Sequence, residues 1–107
     1  MDIKEAQKKV DDMIQQYGGY WEPLSMMARI TEEVGELARA LNIKHGGKRS
    51  KGEGDGREIE DEIADVLFTT LAIANREGID LDKEFLRKIR DSHDKIKEVY
   101  SNDNTNI

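Results

Sequence analysis

The sequence predicts an all-α domain, and three observations favour this fold class. Charged residues make up 37% of the chain and aromatic residues only 6%, with a single proline, which suits helices better than a β-sandwich or barrel. Apolar residues recur at three- and four-residue spacing in several segments, as on one face of a helix. A chain of 107 residues holds one small domain with a modest core, so burial against a second copy is a natural supplement.

Four helices are predicted, each bounded by residues that favour helix ends. Their spans are about residues 2–17, 23–43, 58–77 and 80–100. The segment "GGYWEP" separates the first two, and Pro23 suits the first turn of the second helix. Gly78 ends the third helix, and Asp80 or Asp82 is placed to cap the fourth.

The four helices and the segments between them form a single helical domain over residues 1–100, and a short tail follows it. The first helix carries an apolar stripe made of Ile3, Ala6, Val10, Met13, Ile14 and Tyr17. Residues 44–57 contain five glycines and no apolar residue, so we expect a mobile glycine-rich loop there. Residues 101–107 are polar apart from the final isoleucine, and we expect a disordered tail.

Acidic residues interrupt the second helix beside its apolar face. The predicted core face of this helix consists of Ile30, Val34, Leu37 and Leu41. Glu33 and Glu36 fall on a neighbouring strip that they share with Ala40 and Ile43, so Glu33 borders the core face. Glu32 lies further from it.

The third helix repeats this arrangement. Apolar residues cover about half of its circumference, and a helix of that kind is covered on more than one side. Glu62 lies at the border of the apolar arc, beside Val66 and Ile73, and Asp65 follows three residues later. Charged residues are rarely buried unless they are paired or bind a metal.

The two acidic pairs are predicted to meet. Glu36 lies seven residues before the predicted end of the second helix and Glu62 four residues into the third, which is about 10 Å and about 6 Å along the helices. Antiparallel packing would bring four carboxylates together at similar depth. Such a cluster favours a divalent cation, and oxygen ligands without His or Cys indicate Mg²⁺ or Mn²⁺. The alternative is a solvated acidic face that pairs with Arg29 and Arg39.

Composition excludes several other classes of protein. The net charge of −6 argues against binding a nucleic acid polymer, which needs clustered Lys and Arg. The absence of cysteine excludes disulfides and thiolate-bound metals. The chain lacks a signal-like start and has no apolar run of about 18 residues, so we expect a cytoplasmic protein without membrane association.

The acidic motifs resemble those of a known family. "EEVGE", with Glu32, Glu33 and Glu36, followed after 25 residues by "EIAD", with Glu62 and Asp65, is similar to the signature of the MazG-like nucleotide pyrophosphohydrolases, which belong to the all-α NTP pyrophosphatases. The resemblance covers about residues 18–89, and short single-domain bacterial members look most similar.

This resemblance implies a four-helix bundle assembled as a dimer or a dimer of dimers. It implies hydrolysis of nucleoside triphosphates to the monophosphate and pyrophosphate, in nucleotide-pool housekeeping. The implied Mg²⁺ ligands, with Mn²⁺ as a possible substitute, are Glu33, Glu36, Glu62 and Asp65. Glu32 would position or deprotonate the attacking water, and Glu33 is the second residue to which a catalytic role is assigned.

Substrate contacts are assigned to Asn75, to Trp21 and to basic residues of the fourth helix. Asn75 matches a position that contacts substrate in family members, and Trp21 is placed to stack on a base. Without a P-loop, basic residues must help to neutralise the phosphates. The candidates lie on the fourth helix: Lys83, Arg87 and, in particular, Lys88 and Lys95.

Two alternatives remain beside this enzyme. A di-iron carboxylate bundle uses Glu-x-x-His pairs, and neither acidic pair is followed by a suitably spaced His. The other alternative is a non-catalytic helical module that binds nucleotides or other proteins. The presence of every motif acid counts against it.

Overall fold

The computed structural model describes residues 1–46 and 58–105. It confirms the all-α prediction, because these residues form four helices and no strand. The helices are α1 (Ile3–Gln16), α2 (Pro23–Gly46), α3 (Glu58–Arg76) and α4 (Leu81–Thr105). No helix among them is long and apolar enough to cross a membrane.

The helix ends follow the predicted signals closely. Asp2 caps α1 by accepting a hydrogen bond from the Glu5 backbone N–H at 2.7 Å. Of the two candidate caps of α4, Asp80 takes the position, since its side chain accepts from the Lys83 N–H at 3.3 Å. Gly78 adopts φ +70° after α3, a backbone conformation that favours glycine.

Two helices are longer than predicted. α2 extends to Gly46, into the segment predicted as a loop, with Lys44 and His45 in its last turn, where basic residues complement the helix dipole. α4 extends to Thr105, into the predicted tail, because that stretch contains neither Gly nor Pro and each residue added to a helix gains a hydrogen bond. Residues 47–57 and 106–107, which complete the predicted loop and tail, lie outside the described residues.

α2 and α3 form an antiparallel pair, with α1 packed against α3. Glu36, in the second half of α2, approaches Glu62 near the start of α3. Met26, near the start of α2, packs in one core cluster with Ala72, near the end of α3. The remaining buried members of that cluster are Val10 of α1 and Leu71 of α3. The core therefore lies where all three helices meet.

The predicted core face of α2 is wrong in part. Val34 and Leu41 are 49% and 43% exposed, whereas Met26, Ala40 and Ile43 are buried. α3 packs on the strip that contains Ala40 and Glu33, because a small side chain there lets the two helices approach. Val34 and Leu41 are therefore left exposed.

A network of amide hydrogen bonds ties α1 to the turn between α3 and α4. The Gln7 side chain is buried and donates to Asn75 Oδ1 at 3.0 Å and to the Ile79 carbonyl at 2.9 Å. Its Oε1 accepts from the Leu81 N–H at 3.1 Å. Asn75 in turn donates to the Gln7 carbonyl at 2.8 Å. This network fixes three helices relative to one another.

α4 is the least covered helix. It packs mainly against α1, and it has no buried residue in the range whose side chains are described. Six of its apolar side chains are about half exposed or more: Phe85, Leu86, Ile89, Ile96, Val99 and Tyr100. An apolar helix face of this length is more typical of an interface than of free surface.

Replacing Gln7 by Ala should destabilise the protein. The substitution leaves Asn75 Oδ1, the Ile79 carbonyl and the Leu81 N–H without the partners they have in this network, and unsatisfied buried polar groups cost about 1–3 kcal/mol. Urea unfolding at fixed protein concentration measures the loss. Gln16→Ala, an exposed glutamine on the same helix, is the matched control and should change the free energy of unfolding by less than about 0.5 kcal/mol. Equal effects of the two substitutions would contradict a structural role for the network.

Candidate metal centre and adjoining pocket

Three acidic side chains converge where α2 passes the first turns of α3. One carboxylate oxygen from each of Glu33, Glu62 and Asp65 lies within 4.8 Å of the other two. The i, i+3 spacing places Glu62 and Asp65 on one face of α3, and the antiparallel register brings Glu33 opposite them. The cluster predicted from the sequence therefore forms within a single chain.

Burial makes this cluster different from a solvated acidic face. Glu33 is only 5% exposed. Glu33 Oε2 and Glu62 Oε2 are both buried and have no hydrogen-bond partner among the described residues. A buried charged oxygen without a partner is costly, and a hard divalent cation with oxygen ligands would satisfy both. The donor set thus fits Mg²⁺ or Mn²⁺.

Glu36 joins the cluster through Glu62. Burial, a hydrogen bond with Glu36 and the negative charges of Glu36, Asp65 and Glu33 together raise the pKa of Glu62 above its usual range. Glu36 itself is exposed, as is Glu32, which is not part of the three-residue cluster. The four predicted metal ligands therefore lie near one another, and the predicted catalytic residue Glu32 lies on the solvent side of the same helix.

Arg29 is the cation beside the cluster. Its Nε lies 2.7 Å from Glu33 Oε1, one helical turn away on α2. Its guanidinium carbon also lies over the Trp21 ring, 5.7 Å from the ring centroid, within cation–π range. Arg29 therefore contacts both the acidic cluster and the aromatic segment that precedes α2.

A pocket opens on the Trp21 side of Arg29. Its volume is about 290 Å³, and its walls are mostly apolar, as expected of a site for a small organic molecule. The lining residues are Met13, Ile14, Tyr17, Gly19, Tyr20, Trp21, Met26, Arg29, Phe68, Thr69 and Ala72. Phe68 and Thr69 follow Asp65 by one turn of α3, so the pocket and the cluster are adjacent.

Hydrogen bonds hold the aromatic wall of the pocket in place. Arg76 Nε donates to the Trp21 carbonyl at 2.9 Å. The Tyr20 hydroxyl donates to Asp11, and burial together with this bond raises the pKa of Tyr20 to about 12. Tyr20 therefore remains a protonated donor at any physiological pH, and the segment between α1 and α2 is held at two adjacent residues, Tyr20 and Trp21.

Sequence reasoning missed most of this pocket. Trp21 was the one lining residue predicted to contact substrate, and Arg29 was considered only as a surface ion-pair partner. The available signal was local: Tyr17, Tyr20 and Trp21 are half of the six aromatic residues in the chain, clustered around two glycines. The contacts of this cluster with α2 and α3 are long-range and have no sequence pattern.

The other predicted substrate contacts are not among the residues that line the pocket, although Asn75 forms a hydrogen bond with Tyr20 of the pocket wall. The Asn75 amide is engaged with Gln7 in the network described above. Lys88 and Lys95 are exposed on α4, which packs against α1. Their roles remain predictions.

The chain is similar to a family of known proteins. Residues 21–98 match the family described as the MazG nucleotide pyrophosphohydrolase domain. The chain is 40% identical over 100 residues to the uncharacterized protein YpjD of Bacillus subtilis (strain 168), covering 92% of this chain and 83% of that protein.

Two solved structures are similar in fold as well as in sequence. The crystal structure of YpjD from Bacillus subtilis, described as a candidate pyrophosphatase, has 42% identity and a TM-score of 0.77, covering 85% of this chain and 94% of that one. The crystal structure of a Bacillus-conserved MazG protein, described as a nucleotide pyrophosphohydrolase, has 41% identity and a TM-score of 0.73, covering 85% and 88%.

Mg²⁺ should raise the melting temperature, because a ligand that binds only the folded state stabilises it. Glu62→Gln should abolish this response. In metal-free protein, a carboxyl with a raised pKa contributes stability that is present in full below its ordinary value of 4.5 and is lost as the pH rises through the raised value. Glu62→Gln should therefore leave the metal-free protein at pH 7 as stable as before or more stable.

Thermal melts with and without Mg²⁺ test both statements. Glu60→Gln, an exposed acid on the same helix, is the matched control and should keep the full Mg²⁺ response. A normal response in Glu62→Gln would place the metal site elsewhere.

Proposed function

Because the chain belongs to the MazG nucleotide pyrophosphohydrolase family, we propose that it is a Mg²⁺-dependent nucleoside triphosphate pyrophosphohydrolase. It releases a nucleoside monophosphate and pyrophosphate and serves in housekeeping of the cytoplasmic nucleotide pool. The observation that carries the proposal is the buried Glu33 carboxylate, which forms a cluster with Glu62 and Asp65 and whose Oε2 has no hydrogen-bond partner among the described residues.

Four acids hold the metal in this proposal. Glu33, Glu62 and Asp65 supply the converging oxygens, and Glu36 completes the set beside Glu62. When bound, Mg²⁺, or Mn²⁺ in its place, neutralises the charge of the phosphates and of the departing pyrophosphate. The burial of Glu33 keeps its carboxylate fixed and partly shielded from water, which strengthens its electrostatic interactions.

The aromatic pocket takes the nucleoside. Its largely apolar walls suit a base and sugar, and Trp21 offers a face for stacking. Because the pocket begins one turn of α3 beyond Asp65, a nucleoside seated there extends its phosphates towards the acidic cluster. The α-phosphorus, which is nearest the nucleoside, is then the phosphorus presented to the carboxylates.

Hydrolysis at the α-phosphorus requires water to be oriented and deprotonated. The water oxygen forms a new bond to the α-phosphorus, the bond from this phosphorus to the bridging oxygen breaks, and that oxygen leaves with pyrophosphate. Glu32, exposed beside the cluster, accepts the proton of the water, and Glu33 orients the reacting groups. The chain needs no covalent intermediate, since phosphoryl transfer depends mainly on positioning and charge neutralisation.

A second copy of the chain completes the fold in this proposal, as a homodimer or homotetramer. Val34 and Leu41 of α2 and Ile63 and Leu67 of α3 form an exposed aliphatic face, and α4 exposes a further one. A surface with this much uncovered apolar area favours association of identical chains. Lys88 and Lys95 are exposed on α4, which packs mainly against α1, and in this proposal they reach a phosphate site across such an interface.

Purified protein with Mg²⁺ should convert a nucleoside triphosphate to monophosphate and pyrophosphate, with no activity in EDTA. Glu33→Gln or Asp65→Asn should reduce kcat/KM by at least about a hundredfold, the scale of a lost metal ligand or its support. Glu60→Gln should be near normal. A screen of canonical and modified nucleotides, read by pyrophosphate release and by chromatography of the nucleotide product, measures both the activity and the preferred substrate.

Product identity decides the outcome of that screen. Diphosphate and orthophosphate as products would exclude attack at the α-phosphorus. Mg²⁺-dependent nucleotide binding without turnover of any nucleotide would favour the alternative of a non-catalytic nucleotide-binding module.

The protein should sediment as a dimer or tetramer at micromolar concentration. Leu67→Ala removes a side chain that is 54% exposed on α3 and should weaken association by about tenfold or more, as truncation of an interface anchor does. Lys97→Ala on α4, where the side chain is exposed, is the control. A stable, folded wild-type monomer under these conditions would refute the assembly.

A further inference from the structure

Arg29 is shared between the two halves of the site. Its Nε pairs with Glu33 Oε1 at 2.7 Å, and its guanidinium lies over the Trp21 ring at 5.7 Å from the centroid. The side chain of Arg29 is 48% exposed, whereas that of Glu33 is 6% exposed. One partner of this ion pair is therefore buried, whereas the other is about half exposed to solvent.

The ion pair between Arg29 and Glu33 competes with both expected ligands, the metal ion and the nucleobase. While Arg29 holds Oε1, only Oε2 of Glu33 is available to a cation. An arginine carries five N–H donors, and Arg29 also lines the pocket, where those donors can meet the acceptor groups of a nucleobase. A cation at Glu33 weakens the attraction of that carboxylate for Arg29, because it neutralises the charge that Arg29 pairs with.

We propose that Arg29 is a latch that couples metal binding to nucleoside binding, an inference that rests on the proposed function. The ion pair of Arg29 with Glu33 is the closed position of this latch. With the charge of Glu33 neutralised by a bound cation, the guanidinium of Arg29 would leave Glu33, stay over the Trp21 ring and donate to the base. Conversely, a base that binds Arg29 frees Glu33 for the metal. Each ligand therefore raises the affinity of the other.

The coupling must appear even for a nucleoside that carries no phosphate. Such a ligand cannot touch the metal through phosphate oxygens, so any effect of Mg²⁺ on its affinity must pass through the protein. Linkage requires the effect to be reciprocal and equal in both directions, and coupling of this kind is typically about fivefold or more.

Nuclear magnetic resonance of the indole N–H of Trp21, the single Trp of the chain, provides the measurement. Guanosine and cytidine are suitable probes because the base of each offers two adjacent acceptors to an arginine. In the wild type, Mg²⁺ should tighten binding of a probe by about fivefold or more. In Arg29→Met, which keeps an apolar side chain of similar length without the charge, the ratio of affinities with and without Mg²⁺ should fall to about one.

The affinity for Mg²⁺ alone, measured by calorimetry, separates a latch from a merely structural contact. Arg29→Met should bind Mg²⁺ at least as tightly as the wild type, because a competing cation is gone, whereas damage to the site would weaken binding. Arg90→Met, an exposed arginine on α4, should behave as the wild type in every measurement.

Any of three results would contradict this proposal. They are an effect of Mg²⁺ on probe affinity that persists in Arg29→Met, weaker Mg²⁺ binding in that variant, and no binding of a probe to the wild type with Mg²⁺. None of these bears on pyrophosphate release, which is measured with triphosphates. Conversely, a protein that shows the coupling but hydrolyses no nucleotide would retain the latch and lose the proposed reaction.

Discussion

The close approach of α2 to α3 buries the carboxylate of Glu33 opposite Glu62, and the rest of the site follows from this contact. Like charges at this distance repel, so the arrangement lowers stability unless something neutralises them. Arg29 compensates one oxygen of Glu33, while the other has no partner among the described residues. The core, in which Val10 of α1 packs with Met26 of α2 and with Leu71 and Ala72 of α3, stabilises a register that the acids alone would oppose.

That register also positions the pocket. From the level of Glu33, α2 runs back to Arg29 and Met26 while α3 runs forward to Thr69 and Ala72. All four of these flanking residues line the pocket. The aromatic segment before α2 closes the remaining side, held by Arg76 and by the bond from Tyr20 to Asp11. A polar site and an apolar site on rigid helices therefore share one wall, which is what recognition of a nucleotide requires, with its charged phosphates and its stacked base.

The sequence allowed the helices and the acidic cluster to be predicted, because both depend on spacing along the chain. Glu62 and Asp65 share a face of any helix, and their depth relative to Glu36 follows from helix lengths. The outward direction of Val34 and Leu41 was not predictable in this way. Periodicity identifies an apolar face but not the element that covers it. Here α3 packs on a different strip of α2, where the small side chain of Ala40 permits close approach. The contact of Arg29 with Trp21 was not predicted, because it depends on the path of the chain between α1 and α2.

The surfaces left uncovered in one chain adjoin the site itself. Ile63, half exposed, is the neighbour of Glu62 on α3, and Leu67 lies two residues beyond Asp65. In the proposed assembly a second copy that covers these aliphatic side chains also removes water from the flank of the acidic cluster. Removal of water strengthens the repulsion among the carboxylates and, equally, their attraction for a cation. Assembly and metal binding would then favour one another, because both act on the same two turns of α3.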